Sequence, residues 1–141
     1  MKGVTARAFL VLVLAMAGVW PARAAEATTP QINIEQIRRG MTGTWQSLED
    51  TRFTRQLNAD GTSVDRYEGD DTATSAGSWR LLEGVALPPD LAARKLPPEG
   101  VYMTLTEHGD RYLFALTALD PQSMEIINID RKQKLSFVRL K

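Results

Sequence analysis

The sequence predicts an all-β protein: an up-and-down antiparallel barrel of about eight strands with a short N-terminal helix. Three observations predict it. From Met41 onward, short runs alternate apolar and polar residues, the period of a strand with one buried face. Turn pairs such as Asp60-Gly61, Gly109-Asp110 and Asp120-Pro121 separate these runs at near-even spacing. Two of the runs fold back through turns whose geometry agrees with the alternation on both sides. Many short strands at even spacing give a sandwich or barrel, and short connections favour simple up-and-down order.

The N-terminus stands apart from that pattern. Lys2 and Arg7 precede an apolar run, AFLVLVLAMAGVW over residues 8–20, and Pro21 and Ala22-Arg23-Ala24 follow it. A basic start, an apolar middle and a small-residue end form a secretory signal peptide. The run is shorter than the roughly 20 apolar residues of a spanning helix. The expected organisation is a signal peptide over 1–24, a tail and short helix over 25–41, and one barrel domain over 42–141. The expected location is periplasmic or secreted, with no stable membrane insertion after cleavage. The chain has no Cys, so it offers no cysteine for lipid attachment, no disulfide, no thiol nucleophile and no thiolate metal site.

The chain holds 17 basic and 17 acidic residues. Losing Lys2, Arg7 and Arg23 with the signal turns the balance acidic by three. That excludes general affinity for nucleic acid, which requires a basic face, and for anionic lipid surfaces.

The elements follow in order. Thr29-Pro30 reads as a cap with proline in the first turn, which predicts a helix over 31–39 ended by Gly40. Strands are expected at 43–48, 51–58, 62–68, 76–83, 101–108, 111–119, 124–130 and 135–140. Asn58-Ala59-Asp60-Gly61-Thr62 fits a type I turn followed by a left-handed glycine and a bulge. It pairs Leu57 with Ser63, Arg55 with Asp65 and Phe53 with Tyr67, and turns that set inward because the opposite face is mostly polar. A two-residue turn at Gly109-Asp110 pairs Glu107 with Tyr112, Leu105 with Phe114 and Met103 with Leu116. It leaves Tyr102, Thr104 and Leu113 on the outer face. For the last hairpin, Ile126, Asn128, Phe137 and Arg139 share one face and Ile127, Ile129, Val138 and Leu140 the other; the pattern does not say which is inside. Residues 84–100, GVALPPDLAARKLPPEG, are too long for a tight meander. They read as a functional lid or as a segment covering one barrel end, with a short helix inside.

Gly43-Thr44-Trp45 opens the first strand and Arg139 sits in the last, SFVRLK. That arrangement resembles the lipocalin and wider calycin pattern. RFTRQLNADGT and AGSWRL resemble small bacterial lipocalin-like proteins of the cell envelope, and the similarity runs from 41 to 141. The resemblance implies that Trp45 closes the barrel base and that Arg139 packs across its ring, a cation–π contact. The chain is short for a true lipocalin and lacks disulfides.

Enzyme chemistry finds little footing. The single His, His108, is expected on the outer face beside a turn, and nothing in the sequence places Ser63, Ser75 or Ser78 against it as a triad requires. Asp65, Glu68, Asp70 and Asp71 cluster without the spacing of a calcium loop. No metal and no cofactor are expected, and no carboxylate spacing marks a glycosidase pair; a hydrolase or isomerase using inner carboxylates is the weakest of three classes. The leading expectation is a monomeric, non-catalytic barrel for a small apolar or amphipathic ligand. Arg55 and Asp65 are its polar anchor, and Tyr67, Trp79, Met103, Tyr112 and Phe114 its apolar wall. The alternative is a filled barrel that meets another envelope protein as an accessory or inhibitor. Eight strands sit near the size where side chains fill the interior or leave room for one ligand.

Overall fold

The computed structural model describes residues 32–141. The signal peptide over 1–24 and the Thr29-Pro30 cap lie outside the described residues. Eight strands follow one short helix: α1 Ile34–Met41, β1 Gly43–Ser47, β2 Phe53–Leu57, β3 Thr62–Tyr67, β4 Asp70–Glu83, β5 Val101–Glu107, β6 Asp110–Leu119, β7 Ser123–Asn128 and β8 Gln133–Arg139. Each strand pairs antiparallel with the next, and β8 returns to β1 to close the barrel. The closing ladder matches Trp45 with Arg139 and Ser47 with Phe137.

The first hairpin has the register its turn predicts, with Arg55 opposite Asp65 and Phe53 opposite Tyr67. Gly61 takes φ +91, a left-handed value that favours glycine, and its N–H donates to the Asn58 carbonyl at 3.0 Å. The β5–β6 hairpin corrects the sequence reading. Its turn is His108-Gly109, with φ 50 and 82, so both central residues are left-handed, as a type I′ turn needs. Glu107 therefore faces Asp110, Leu105 faces Tyr112 and Met103 faces Phe114. The pairing slides by two residues relative to the expectation, and a slide of two leaves every side chain on its expected face.

The ambiguous last hairpin resolves with Met124, Ile126 and Phe137 buried inside. β4 begins at Asp70, six residues before the expected start, because its exposed first turn-side segment is polar and carries no alternation. Trp45, Leu57, Met103, Ile126 and Phe137 are all 1% exposed or less, so the middle of the barrel is packed with side chains.

Helix α1 covers one end of the barrel. Asn33 caps it, its Oδ1 accepting from the Gln36 N–H at 3.1 Å, and Arg38 and Arg39 occupy the last turn, where the helix dipole favours cations. Gly40 does not end the helix. The chain turns helical through Met41, and Thr42 is the C-cap. The glycine instead lies close against β6, where an added Cβ would stand 3.2 Å from Leu119 Cδ2. Met41 then drops into the core beside Trp45, Leu57 and Trp79.

Residues 84–100 neither plug an end nor form a lid over one. A short 3-10 turn (Gly84–Ala86) and helix α2 (Pro89–Ala92) strap the outside of the wall. Leu91 packs onto Leu82, Tyr102 and Leu113, which point outward from β4, β5 and β6. The Tyr102 hydroxyl donates to the Pro97 carbonyl at 2.7 Å. Tyr102 and Leu113 read as outer-face residues in the sequence; the strap buries them, together with Leu82, in a second, smaller core. Elsewhere the outer wall carries exposed Arg66, Arg80 and Lys134, the reverse of the apolar band of a membrane-spanning barrel. Among the described residues no helix is long and apolar enough to cross a membrane.

Candidate functional site

The two ends of the barrel are built differently. At the end under α1, the Arg139 guanidinium lies 4.3 Å from the Trp45 ring centroid. Its Nε donates to the Pro121 carbonyl at 2.7 Å, Nη1 to Thr42 at 2.9 Å and Nη2 to Gly40 at 2.6 Å. The Trp45 indole N–H donates to the Met41 carbonyl at 2.8 Å. Gly43, at φ +142, gives the guanidinium its space, because a Cβ there would stand 2.3 Å from Arg139 Nη1. The strand closure and the helix cap are thus tied by one cation whose nitrogens all find carbonyls. These contacts join the strand closure to the helix. Trp79 belongs to this end as well: its indole N–H donates to the Asn58 carbonyl at 2.9 Å, and Arg38 stacks 5.1 Å above the ring.

The opposite end is a mouth with a cup of about 260 Å³. Its floor is the Arg55–Asp65 pair. Arg55 Nε and Nη2 donate to the two Asp65 oxygens, both at 2.9 Å, in the fork geometry that makes such pairs strong. Both residues are 7% exposed. The rings of Phe53, Phe114 and Phe137 stand around the guanidinium, with centroids 5.4, 5.6 and 5.9 Å away. Arg55 Nη1 is buried and has no hydrogen-bond partner among the described residues. A buried unpaired donor on a charged group is costly, and native structures keep few of them.

Glu107 completes the floor. It reaches inward across β4 because Gly77 stands between: a Cβ at Gly77 would meet Glu107 Cγ at 2.8 Å. Opposite Gly77 on β3 is the small Ser63. The Glu107 carboxyl comes to rest against that of Asp65 and is raised above the usual glutamate value. Burial is the main cause, then the proton it can share with Asp65, partly offset by the hydrogen bond that Ser75 donates to Glu107 Oε2.

The Ser75 Oγ also lies 3.0 Å from His108 Nε2, a neighbour the sequence gave no reason to expect. With its only proton directed to Glu107, the Ser75 oxygen is left to accept at this contact, which takes the ring tautomer that carries its hydrogen on Nε2. That is opposite to a triad, in which the imidazole takes the hydroxyl proton.

Of the residues expected to form a ligand wall, Arg55, Asp65, Tyr112 and Phe114 line the cup. Tyr67 sits beside it, packed on Phe53 at 5.6 Å with its hydroxyl donating to Asp50 Oδ2 at 2.9 Å. Trp79 and Met103 are buried in the packed core and do not line it. The sequence reading did not assign Phe53, Leu105, Glu107 or Asn128 to the site, and they line the cup as well. Glu107 had a signal: it falls on the inner face of β5 at the mouth, level with a glycine on the neighbouring strand. The acidic cluster disperses, for Asp65 is held by Arg55 while Glu68, Asp70 and Asp71 are exposed at a turn. Among the described residues no group of three His, Asp or Glu is placed to hold a metal ion. The chain matches no known family model, no curated protein and no solved structure.

Proposed function

We propose that this is an exported, lipocalin-like, non-catalytic binding protein that takes a small, partly apolar ligand at the mouth of its barrel. The observation that carries the reading is the unpaired Nη1 of Arg55 among aromatic rings. A ligand oxygen there meets a charged donor already stripped of water, after one phenyl ring gives way. The site is apolar with a few placed polar groups, the usual make-up of small-ligand pockets. Its size sets the ligand. A cup of about 260 Å³ lies just under the roughly 300–1,000 Å³ common for such pockets, and the core below it is filled. A single ring or a short chain fits; a long acyl tail does not. Export rests on the pattern over residues 1–24.

The second reading, a filled barrel that docks on an envelope protein, draws on the packed interior and on Leu48, which is 55% exposed in the loop after β1.

One titration separates them. Small ring compounds of different charge are added to isotope-labelled protein. Ligand at the mouth shifts the Tyr112 and Phe114 rings and the Asn128 amide while the Trp45 and Trp79 indole N–H signals stay fixed at the far end. Silence from every compound at the mouth would favour the docking module. Tryptophan emission is a poor reporter here, because both indoles belong to the closed end.

A further inference from the structure

The mouth sets two carboxyl groups, Asp65 and Glu107, against two arginines, Arg55 and Arg131. Asp65 has both oxygens engaged by Arg55. Glu107 lies against it through the gap left by Gly77. Around this pair stand every charged or titratable group that lines the cup: Arg55 from β2, Asp65 from β3, Glu107 from β5, Tyr112 from β6, and Arg131 from the turn after β7. Ser75 of β4 holds the outer Glu107 oxygen and links it to His108.

With Glu107 ionised, two carboxylates balance Arg55 and Arg131, and the cup is neutral. With Glu107 protonated the cup gains one positive charge, and the unused donor is Arg55 Nη1. Only the second state suits an anion.

We infer that the mouth binds a small monocarboxylate together with one proton, the ligand oxygen accepting from Arg55 Nη1 while Glu107 holds the proton against Asp65. The bookkeeping is one carboxylate and one solvent proton in, with no bond broken in the ligand. This rests on the mouth being a ligand site and adds the ligand's charge class and its coupling to pH.

A cation would meet the same two carboxylates, but both Asp65 oxygens already accept from Arg55, and burial and the neighbouring Asp65 work against the ionised form of Glu107. Proton uptake with an anion is the direction that burial favours. One-proton linkage makes affinity fall by up to about tenfold per pH unit above the Glu107 pKa of the free protein.

The test compares benzoate, benzamide and benzylamine by calorimetry between about pH 5 and about pH 8, where benzoate keeps its charge. Benzoate binding best, weakening as pH rises and drawing protons from the buffer, supports the proposal. Glu107→Gln, which mimics the protonated acid at nearly the same size, should keep benzoate binding and remove its pH dependence. Equal binding of benzamide and benzoate at every pH would overturn the proton-coupled anion while leaving the mouth as a ligand site. Preference for benzylamine would overturn it too. No heat and no mouth signal from any of the three would sink the ligand reading itself. Arg55→Lys serves as a second variant: it keeps a charge opposite Asp65 but has no second fork, and benzoate affinity should drop at least about tenfold.

Discussion

Two arginines on inward faces, Arg139 and Arg55, have opposite fates. Arg139 donates to three backbone carbonyls and covers an indole. Arg55 pairs two of its nitrogens with one carboxylate, stands among three phenyl rings and leaves Nη1 without a partner. The first arrangement is complete by itself and joins the last strand to the first. The second is incomplete inside the described chain, and it sits where the barrel opens. Similar chemistry builds a clasp at one end and a floor with an unused donor at the other, and what separates them is whether every donor is used.

The clasp should be the harder of the two to remove. Trp45→Ala deletes a fully buried indole, its hydrogen bond to Met41 and the ring under Arg139. A loss of about 3–5 kcal/mol is expected, read as a lower denaturant midpoint with an unchanged slope. Arg55→Ala strands Asp65 as a buried, unpaired carboxylate, and should cost about 3 kcal/mol. If the loss is near zero, the pair is better solvated than its burial implies. Gly43→Ala forces an alanine to φ +142 against a guanidinium pinned on three sides, and about 1–3 kcal/mol should follow. A neutral outcome would mean that Arg139 can swing clear, and that the clasp is looser than drawn.

Two smaller effects sharpen the contrast at the rim. Asp50 is held at about 2 by its hydrogen bond from Arg52 and then by that from Tyr67. A lowered folded value means its contribution is present above the ordinary aspartate range and is lost as pH falls through about 2. Carboxyl NMR should show that midpoint, and Tyr67→Phe should raise it. The exposed Arg94–Asp130 pair on the strap, at 2.5 Å, should matter least. Asp130→Asn is expected to change stability by no more than about 0.5 kcal/mol, so a larger loss would make the strap a stability element in its own right.

Much of the barrel was legible because its signals are local. Asn58 to Thr62 dictates one turn geometry, and from it the Arg55–Asp65 pairing follows without any tertiary knowledge. Trp45 and Arg139 sit near the two ends of the barrel sequence, and closure brings them together. The misses share a cause as well. The β5–β6 register depended on whether His108 would accept a left-handed φ, which the side-chain pattern does not report. Its alternation survives a two-residue slide unchanged. The strap was misplaced because Tyr102 and Leu113 were read as outer-face residues and their apolar character, with that of Leu82 beside them, was passed over. Three outward apolar positions on adjacent strands ask for a cover, and residues 84–100 supply it. Of the eleven residues that line the cup, four were named, Arg55 and Asp65 on one hairpin and Tyr112 and Phe114 on another. Glu107 was not, because its approach to Asp65 crosses β4 and depends on Gly77 having no side chain, a relation between three strands that no single turn encodes.

The claim that the mouth pair is kept for binding and the base for stability comes down to one double variant, Arg55→Met with Asp65→Leu. It replaces a buried ion pair by apolar groups of similar bulk, a change that is often neutral or stabilising by about 1–4 kcal/mol. Denaturant unfolding and benzoate calorimetry on the same preparation give the answer. The account predicts a midpoint at or above that of the unaltered protein, with benzoate binding abolished. A midpoint as low as that of Trp45→Ala, or undiminished benzoate binding, would contradict it.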